Sequence, residues 1–371
     1  MHNSSAPRLL VMAGGTGGHV FPGIAVAKEL LAQGWEVTWL GTRDRMEAQL
    51  VPQHGFDIDF IDIQGVRGNG LVRRLAAPFK IVRAVVQAIG IIRRLRPDVV
   101  IGMGGFASGP GGVAARLLGI PLVLHEQNAA AGLTNKLLAK IAQCKLQAFP
   151  GALPESERTF TVGNPVRSEI TAVPEYVARP ANPLAINILV VGGSLGARVF
   201  NTGFAAIVDQ MSELTLEIKH QSGRGNADMC LQSYQQLLSS DQLEHIEVME
   251  FCDDMAAAYA WADVIVCRAG ALTVSEVAAA GRCAIFVPYP YAVDDHQTQN
   301  AQYLVSEQAA YLVADSDFGP ESLSPIFSLL SQPEHRLNMA RKTRALAQTH
   351  ATQAVAQHCT ALLKREENDK S

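Results

Sequence analysis

Short apolar runs alternate along the chain with longer stretches in which apolar residues return every three or four positions. This is the pattern of buried strands joined by crossover helices. In the first half the strand-like runs are Arg8–Ala13, Glu36–Leu40, Phe56–Ile63, Val99–Gly102, Pro121–His125 and Leu146–Phe149. The second half repeats the plan with Ile186–Val191, Thr215–His220, His245–Glu250, Val264–Cys267, Ala284–Pro288 and Ala310–Val313. Each half opens on a buried strand that runs into a glycine turn and then a helix, LLVMAGGTGGHVFPG in one and ILVVGGSLGARVFN in the other. The pattern predicts an α/β protein with two Rossmann-like parallel-sheet domains. Between them Pro165, Pro174, Pro180 and Pro183 exclude a regular element and mark a linker. The expected division is a first domain over 1–165, a linker over 166–184, a second domain over 185–345 and a terminal helix over 346–371. From Pro333 the helical pattern carries to about Lys364; the last helix is placed to cross back to the first domain, and EENDKS should fray.

Composition adds an asymmetry. The chain has 371 residues, 48% hydrophobic and 18% charged, enough for two cores and too apolar for disorder. A formal net charge of −4 argues against a nucleic-acid binder. Residues 1–167 nevertheless carry 18 basic against 11 acidic residues, and the remainder 13 against 24. Cysteines 144, 230, 252, 267, 283 and 359 form no C-x-x-C pair and lie in or beside apolar runs, so they read as reduced core residues of a cytosolic protein. No signal peptide is evident, and the uncharged stretch Ala84–Ile92 is far shorter than the ~20 residues of a membrane span. The segment Arg67–Arg96 has eight basic residues and no acid. Its GNGLVRRLAAPFK portion mixes apolar side chains with Arg73, Arg74 and Lys80, a combination suited to anionic lipid headgroups.

Four glycine turns stand between a strand and a helix: Gly14–Gly18, Gly104–Gly109, Gly192–Gly196 and Arg268–Thr273. Such turns let backbone N–H groups approach an anion, and two in each half point to phosphate-bearing ligands. Val20 stands where G-x-G-x-x-G needs its third glycine, and no acid ends the second strand, which disfavours a nicotinamide dehydrogenase. No P-loop occurs either. The triplets Asp57-Ile58-Asp59 and Asp315-Ser316-Asp317 read as solvated carboxylates rather than as metal ligands.

His19 follows the first glycine turn, just ahead of Pro22, which can begin a helix. At the carboxyl end of a strand it is a candidate general base, against the alternative of a capping or core histidine. His125-Glu126-Gln127-Asn128, with Asn135 downstream, form a polar set suited to a hydroxyl-rich substrate, and Glu126 is a second candidate base. Glu276 either caps its helix or receives two ribose hydroxyls; Asp295-His296-Gln297 is polar loop or ligand site.

Taken in order, GGTGGHVFPG, GGFASGPGG, HEQN with GLTN, VGNPVR, VVGGSLGA, FCDDMAAAYAWADVIVCRAGALTVSE and DDHQTQNA resemble the motifs of the MurG family from about Arg8 to Leu363. These are bacterial GT-B N-acetylglucosaminyltransferases that make lipid II for peptidoglycan. The resemblance implies two Rossmann-like domains facing across a cleft. It implies inverting transfer of GlcNAc from UDP-GlcNAc to the C4 hydroxyl of MurNAc in undecaprenyl-pyrophosphoryl-MurNAc-pentapeptide, with neither metal nor cofactor. On the same basis Ser194, Ala271, Leu272, Thr273, Val274 and Ser275 would hold the donor's diphosphate and sugar, Glu276 its ribose, the backbone near Cys252 its uracil and Gln297 its GlcNAc hydroxyls. Thr16, Gly17, Gly18, Asn128 and Arg167 would reach the donor from the first domain and linker, while Gly104, Gly105, Ser108, His125 and Asn135 would serve the acceptor. The implied location is peripheral, on the cytoplasmic side of the inner membrane, among anionic lipids and other cell-wall synthesis and division proteins. Phe106, Leu195, Ala269 and His296 depart from residues common in the family, namely Tyr, Gln, Ser and Gln. A UDP-GlcNAc epimerase, needing no lipid acceptor, and a nucleotide-sugar-binding scaffold without turnover are the competing classes.

Overall fold

The computed structural model describes residues 6–63, 71–177 and 185–369; Arg67 and the three residues after it, Pro180, Pro183 and the last two residues of the tail lie outside that range. The chain divides into two compact units, Met1–Arg167 with Thr349–Ser371, and Ser168–Gln348.

The first unit is built on seven parallel strands: β1 (Arg8–Ala13), β2 (Glu36–Gly41), β3 (Asp57–Phe60), β4 (Val99–Gly104), β5 (Leu122–Glu126), β6 (Cys144–Gln147) and β7 (Thr159–Thr161). They lie in the order β3-β2-β1-β4-β5-β6-β7. The connecting helices are α1 (Gly17–Ala32), α2 (Glu47–Gln53), α3 (Leu71–Leu95), α4 (Ser108–Leu117) and α5 (Leu133–Leu138). Side chains alternate across the sheet: Leu9, Val11 and Ala13 enter one core with Val20, Ile24 and Leu30 of α1, whereas Leu10 and Met12 enter another with Ala84, Ala88 and Ile92 of α3. Strands buried on both faces account for the unbroken apolar run of LLVMA.

The second unit has six parallel strands, β8 (Ala185–Val191), β9 (Thr215–Gln221), β10 (Ile246–Met249), β11 (Val264–Cys267), β12 (Cys283–Phe286) and β13 (Tyr311–Leu312), in the order β10-β9-β8-β11-β12-β13. Its helices are α6 (Ser168–Thr171), α7 (Arg198–Gln210), α8 (Ala227–Gln235), α9 (Ser240–Leu243), α10 (Met255–Trp261), α11 (Ala271–Ala280), α12 (His296–Val305), α13 (Pro320–Leu330) and α14 (Pro333–Ala345). Phe200, Phe204, Tyr234 and Phe327 fill the space between the sheet and α7, α8 and α13.

Several local expectations need correction. The proline-rich linker does contain a regular element, since α6 fits one helical turn between Pro165 and Pro174. It is anchored to its own unit, where Arg282 donates to the Pro174 carbonyl at 3.2 Å. The helical stretch after Pro333 is two helices, α14 and α15 (Ala351–Asp369), and the second runs beyond Lys364 into the tail. Helix α1 begins at Gly17, five residues before Pro22, which sits inside it. Strand β7 was absent from the apolar pattern because only three residues pair and two of them are Thr. Five of the cysteines are buried as core residues, but Cys252 is half-buried.

Helix α15 presents Val355, Ala356, Cys359 and Leu362, on one helical face, to the core formed by α1 and the sheet of the first unit. Full burial of one large apolar side chain contributes about 1.5–3 kcal/mol, a large fraction of a domain's stability. Truncation after Gln348 is therefore expected to abolish or strongly lower the first unit's urea transition while leaving the second unit's in place; coincident loss of both, or of neither, would contradict this division.

Candidate active site

In each sheet the strand order reverses at its first strand, and ligands of open α/β sheets bind beside the carboxyl ends at such a point. The four glycine turns occupy those places. Gly14–Gly18 follows β1 and Gly104–Gly109 follows its neighbour β4; Gly192–Gly196 follows β8 and Arg268–Thr273 follows its neighbour β11.

In the first unit the two turns touch. Gly105 has φ 89°, and a Cβ there would lie 2.3 Å from the Gly14 carbonyl oxygen, so only glycine fits. The Ser108 hydroxyl is fully buried and hydrogen-bonds to the carbonyls of Met12 at 2.8 Å and Gly104 at 2.7 Å, tying the second turn to β1. Beneath the first turn lies Glu47, which the sequence pattern did not single out. One oxygen accepts from the Gly15 N–H at 2.9 Å, the other from the Thr42 N–H at 3.0 Å and hydroxyl at 2.6 Å. Its side chain fills the space left by Gly14 and Gly41, where a Cβ would come within 2.4 and 2.8 Å of it.

His19 stands on the first turn of α1, half-buried, with its ring against Gly104; a Cβ at 104 would be 2.7 Å from Nδ1. Nδ1 lies 3.1 Å from Gln127 Oε1. Gln127 Nε2 lies 2.9 Å from His125 Nδ1, and His125 Nε2 lies 2.9 Å from the Gly163 carbonyl. Loss of hydration lowers both histidines to about 4, with the Glu47 carboxylate pulling His19 the other way. Both imidazoles are thus neutral near pH 7.

Glu126 is buried at the end of β5. Its Oε1 accepts from the Asn128 N–H at 2.9 Å, and its Oε2 from Asn135 Nδ2 at 2.8 Å and the Gly132 N–H at 3.2 Å. Burial pushes its carboxyl above the ordinary range, against the pull of those N–H groups. Both oxygens are committed to folding the loop over 126–135, with Asn135 itself buried beside them. Thr16, Gly17, Gly18 and Asn128 lie along the same edge, and the Arg167 guanidinium lies over Phe21 at 5.8 Å.

The second unit builds its edge more from backbone. Helix α11 starts at Ala271 after the N-cap Gly270, which has no side chain to cap the turn through Ala271, Leu272 and Thr273. Val274 is core, and the Ser275 hydroxyl bonds back to the Ala271 carbonyl at 3.0 Å. Glu276 is buried, with the Tyr259 hydroxyl donating to it at 3.2 Å. Ser194 is exposed, Cys252 is half-buried with its thiol raised by desolvation, and Gln297 accepts the Tyr289 N–H at 2.9 Å through Oε1. In that loop Asp294 and Asp295 both take positive φ, 55° and 50°, immediately before α12. One expectation fails here: Asp315 is not a simply solvated carboxylate. It pairs with Arg268, which also donates to the carbonyls of Val287 and Pro288 and stacks on Phe200 and Tyr289. A buried relay of Tyr234, His220 and Asn201 reaches the Ser222 carbonyl, against which Gly196 packs. Among the described residues no group of His, Cys, Asp and Glu could hold a metal ion.

The sequence matches the glycosyltransferase family 28 N-terminal domain over residues 9–147 and the family's C-terminal domain over residues 187–358. The chain belongs to glycosyltransferase family 28. A relative from Aeromonas hydrophila subsp. hydrophila, 58% identical over 95% of this chain and 96% of its own, is named UDP-N-acetylglucosamine-N-acetylmuramyl-(pentapeptide) pyrophosphoryl-undecaprenol N-acetylglucosamine transferase. One from Shewanella amazonensis with the same name is 55% identical over 98% of this chain and 100% of its own. The crystal structure of Acinetobacter baumannii MurG superposes with a TM-score of 0.82 at 44% identity, covering 96% of this chain and 99% of that one. A UDP-N-acetylglucosamine 2-epimerase shares the fold, with a TM-score of 0.64 at 14% identity over 95% of each chain. This family 28 transferase therefore has a GT-B-type α/β architecture, and the fold alone does not separate transfer from epimerisation.

Its committed oxygens make Glu126 an organiser of the loop. The Glu126→Gln variant of the transferase is expected to lose about 1–3 kcal/mol of stability, because an amide NH₂ must then face N–H donors. An unchanged unfolding midpoint in urea would refute that role.

Proposed function

We propose that the protein transfers GlcNAc from UDP-GlcNAc to the C4 hydroxyl of MurNAc in undecaprenyl-pyrophosphoryl-MurNAc-pentapeptide, with inversion, and that His19 is the general base. The observation that carries the chemistry is the neutral His19 imidazole, whose Nδ1 is occupied by Gln127 while Nε2 meets no partner among the described residues. It stands at the carboxyl edge of its sheet, beside two glycine turns suited to a pyrophosphate. The donor reading rests on the second unit. N–H groups at the start of α11 favour the charge that develops on the leaving diphosphate, with no cation required, and Glu276 suits two ribose hydroxyls. Inversion needs a base acting on the acceptor hydroxyl as UDP departs, and a positioned imidazole contributes ~10²–10⁴ in rate. Substrate identity follows the names of the full-length relatives.

Lipid contact has its own support. No helix among the described residues is long and apolar enough to cross a membrane. Helices α3, α4 and α5 instead expose Phe79, Val82 and Val86, Leu117, and Leu133 and Leu137, interspersed with Lys80, Arg116 and Lys136, and Lys140 follows in the turn after α5. Phe79 is 80% exposed. Exposed apolar side chains set among cations in this way suit adsorption to anionic headgroups on the cytoplasmic face of the inner membrane. The side chains of Arg73 and Arg74 lie outside the described residues.

UDP release on adding the lipid acceptor or a short-chain analogue tests the transfer. We expect turnover with both substrates and none with UDP-GlcNAc alone, whereas conversion of the donor alone would favour an epimerase. His19→Ala should lower kcat about 10²-fold or more with the donor KM little changed, and Glu276→Gln should chiefly raise the donor KM. Normal turnover of His19→Ala would remove it as base. For the membrane reading, Phe79→Glu should weaken sedimentation with anionic phosphatidylglycerol vesicles while sparing turnover of a short-chain acceptor; undiminished vesicle binding would contradict it.

A further inference from the structure

A hydrogen-bond chain of four groups ends on His19, and its polarity is fixed at the far end. The Gly163 carbonyl can only accept, so His125 Nε2, 2.9 Å away, carries the proton. With His125 neutral, its Nδ1 is then an acceptor and must face the amide nitrogen of Gln127, at 2.9 Å. The same Gln127 nitrogen also donates to the His125 carbonyl at 3.2 Å, which leaves only one orientation for the carboxamide. Its Oε1 therefore points at His19 Nδ1, 3.1 Å away, and an amide oxygen accepts but does not donate. Nδ1 of His19 must carry the proton, and Nε2 holds the lone pair.

We propose that Gln127, oriented by His125 and through it by the Gly163 carbonyl, is a positioning residue that holds His19 in the Nδ1–H tautomer, with Nε2 as the proton acceptor. The inference rests on His19 being the base. Gln127 itself is 1% exposed and His125 fully buried, so both act from beneath the site. The ring of His19 is confined from the other side by Gly104, where no Cβ could fit. In the transfer step the acceptor hydroxyl proton passes to Nε2 as the oxygen forms its bond to the sugar carbon and the bond to UDP breaks. The imidazolium produced keeps its Nδ1–H on Gln127 Oε1, so the contact that sets the tautomer also stabilises the charge formed.

Two replacements of Gln127 separate this role from packing. Leucine removes the acceptor. Glutamate keeps an acceptor for His19 and instead requires His125 to donate from both nitrogens, as an imidazolium. We expect Gln127→Leu to lower kcat about 10²-fold or more with the UDP-GlcNAc KM within about twofold, and Gln127→Glu to stay within about tenfold of the parent. Nitrogen-15 NMR of histidine-labelled protein, with His19 assigned by its loss in His19→Ala, gives the direct readout. The parent should show a protonated Nδ1 and an unprotonated Nε2; Gln127→Leu should lose that preference, and Gln127→Glu should keep it while doubly protonating His125. A protonated Nε2 on His19 in the parent, or full turnover of folded Gln127→Leu alongside an inactive His19→Ala, would overturn the proposal. Should Gln127→Leu fail to fold, the parent spectrum and Gln127→Glu still decide it. Full turnover of His19→Ala would instead overturn the base reading beneath it, while the spectrum would report the tautomer separately.

Discussion

The contact on which the first unit's site depends is the one between its two glycine turns. Parallel strands β1 and β4 are neighbours, so the turns that leave their carboxyl ends must emerge side by side. Gly105 meets the Gly14 backbone where any side chain would collide, and Ser108 bridges from the second turn back to the end of β1. Everything above that contact inherits its precision: the start of α1, the ring of His19 resting on Gly104, and the Glu47 carboxylate that closes the turn from below. A wider separation would leave His19 without a wall and Glu47 with a cavity, and interiors packed to near-crystal density do not tolerate such gaps without loss.

The second unit meets the same problem with a different neighbour. Its first glycine turn packs on the loop after β9, where Gly196 closes on the Ser222 carbonyl that Asn201 holds. The edge beside α11 is thereby left to backbone N–H groups and to Glu276. This difference gives the charge asymmetry a physical meaning. On the proposed function, the acidic half needs few cations at its edge because a helix terminus and glycine backbone supply positive potential. The basic half places Lys80, Arg116 and Lys136 on helices that also expose apolar side chains, with Lys140 in the turn after α5.

Much of the fold was legible in the apolar runs because strands buried on both faces leave an unbroken signal, as in LLVMA and ILVV. Strand β7 and the turn of α6 were not, being too short and too polar to carry a period. The polar residues of the first site were visible as a cluster at a strand end, but their partners were not. Glu47 serves Gly15 from 32 positions away, His125 serves Gly163 from 38, and Gln127 serves His19 from 108. Residue type told that HEQN had hydrogen bonds to make. Only the sheet order, which brings the ends of β1, β4 and β5 together, shows that Ser108, His125, Glu126 and Asn135 direct most of theirs inward.

Helix α15 adds a constraint in time. Its four inward side chains complete a core whose other buried members run from Leu9 to Leu146. During synthesis those early strands leave the ribosome without the last pieces of their own interior, while Ser168–Gln348, an uninterrupted segment, emerges whole. The usual order, in which the N-terminal domain matures first, is reversed for the unit that carries His19. The surroundings of His19 become fully packed only when that helix arrives, so an interrupted translation product would hold the second unit in finished form and the first unit with an open seam.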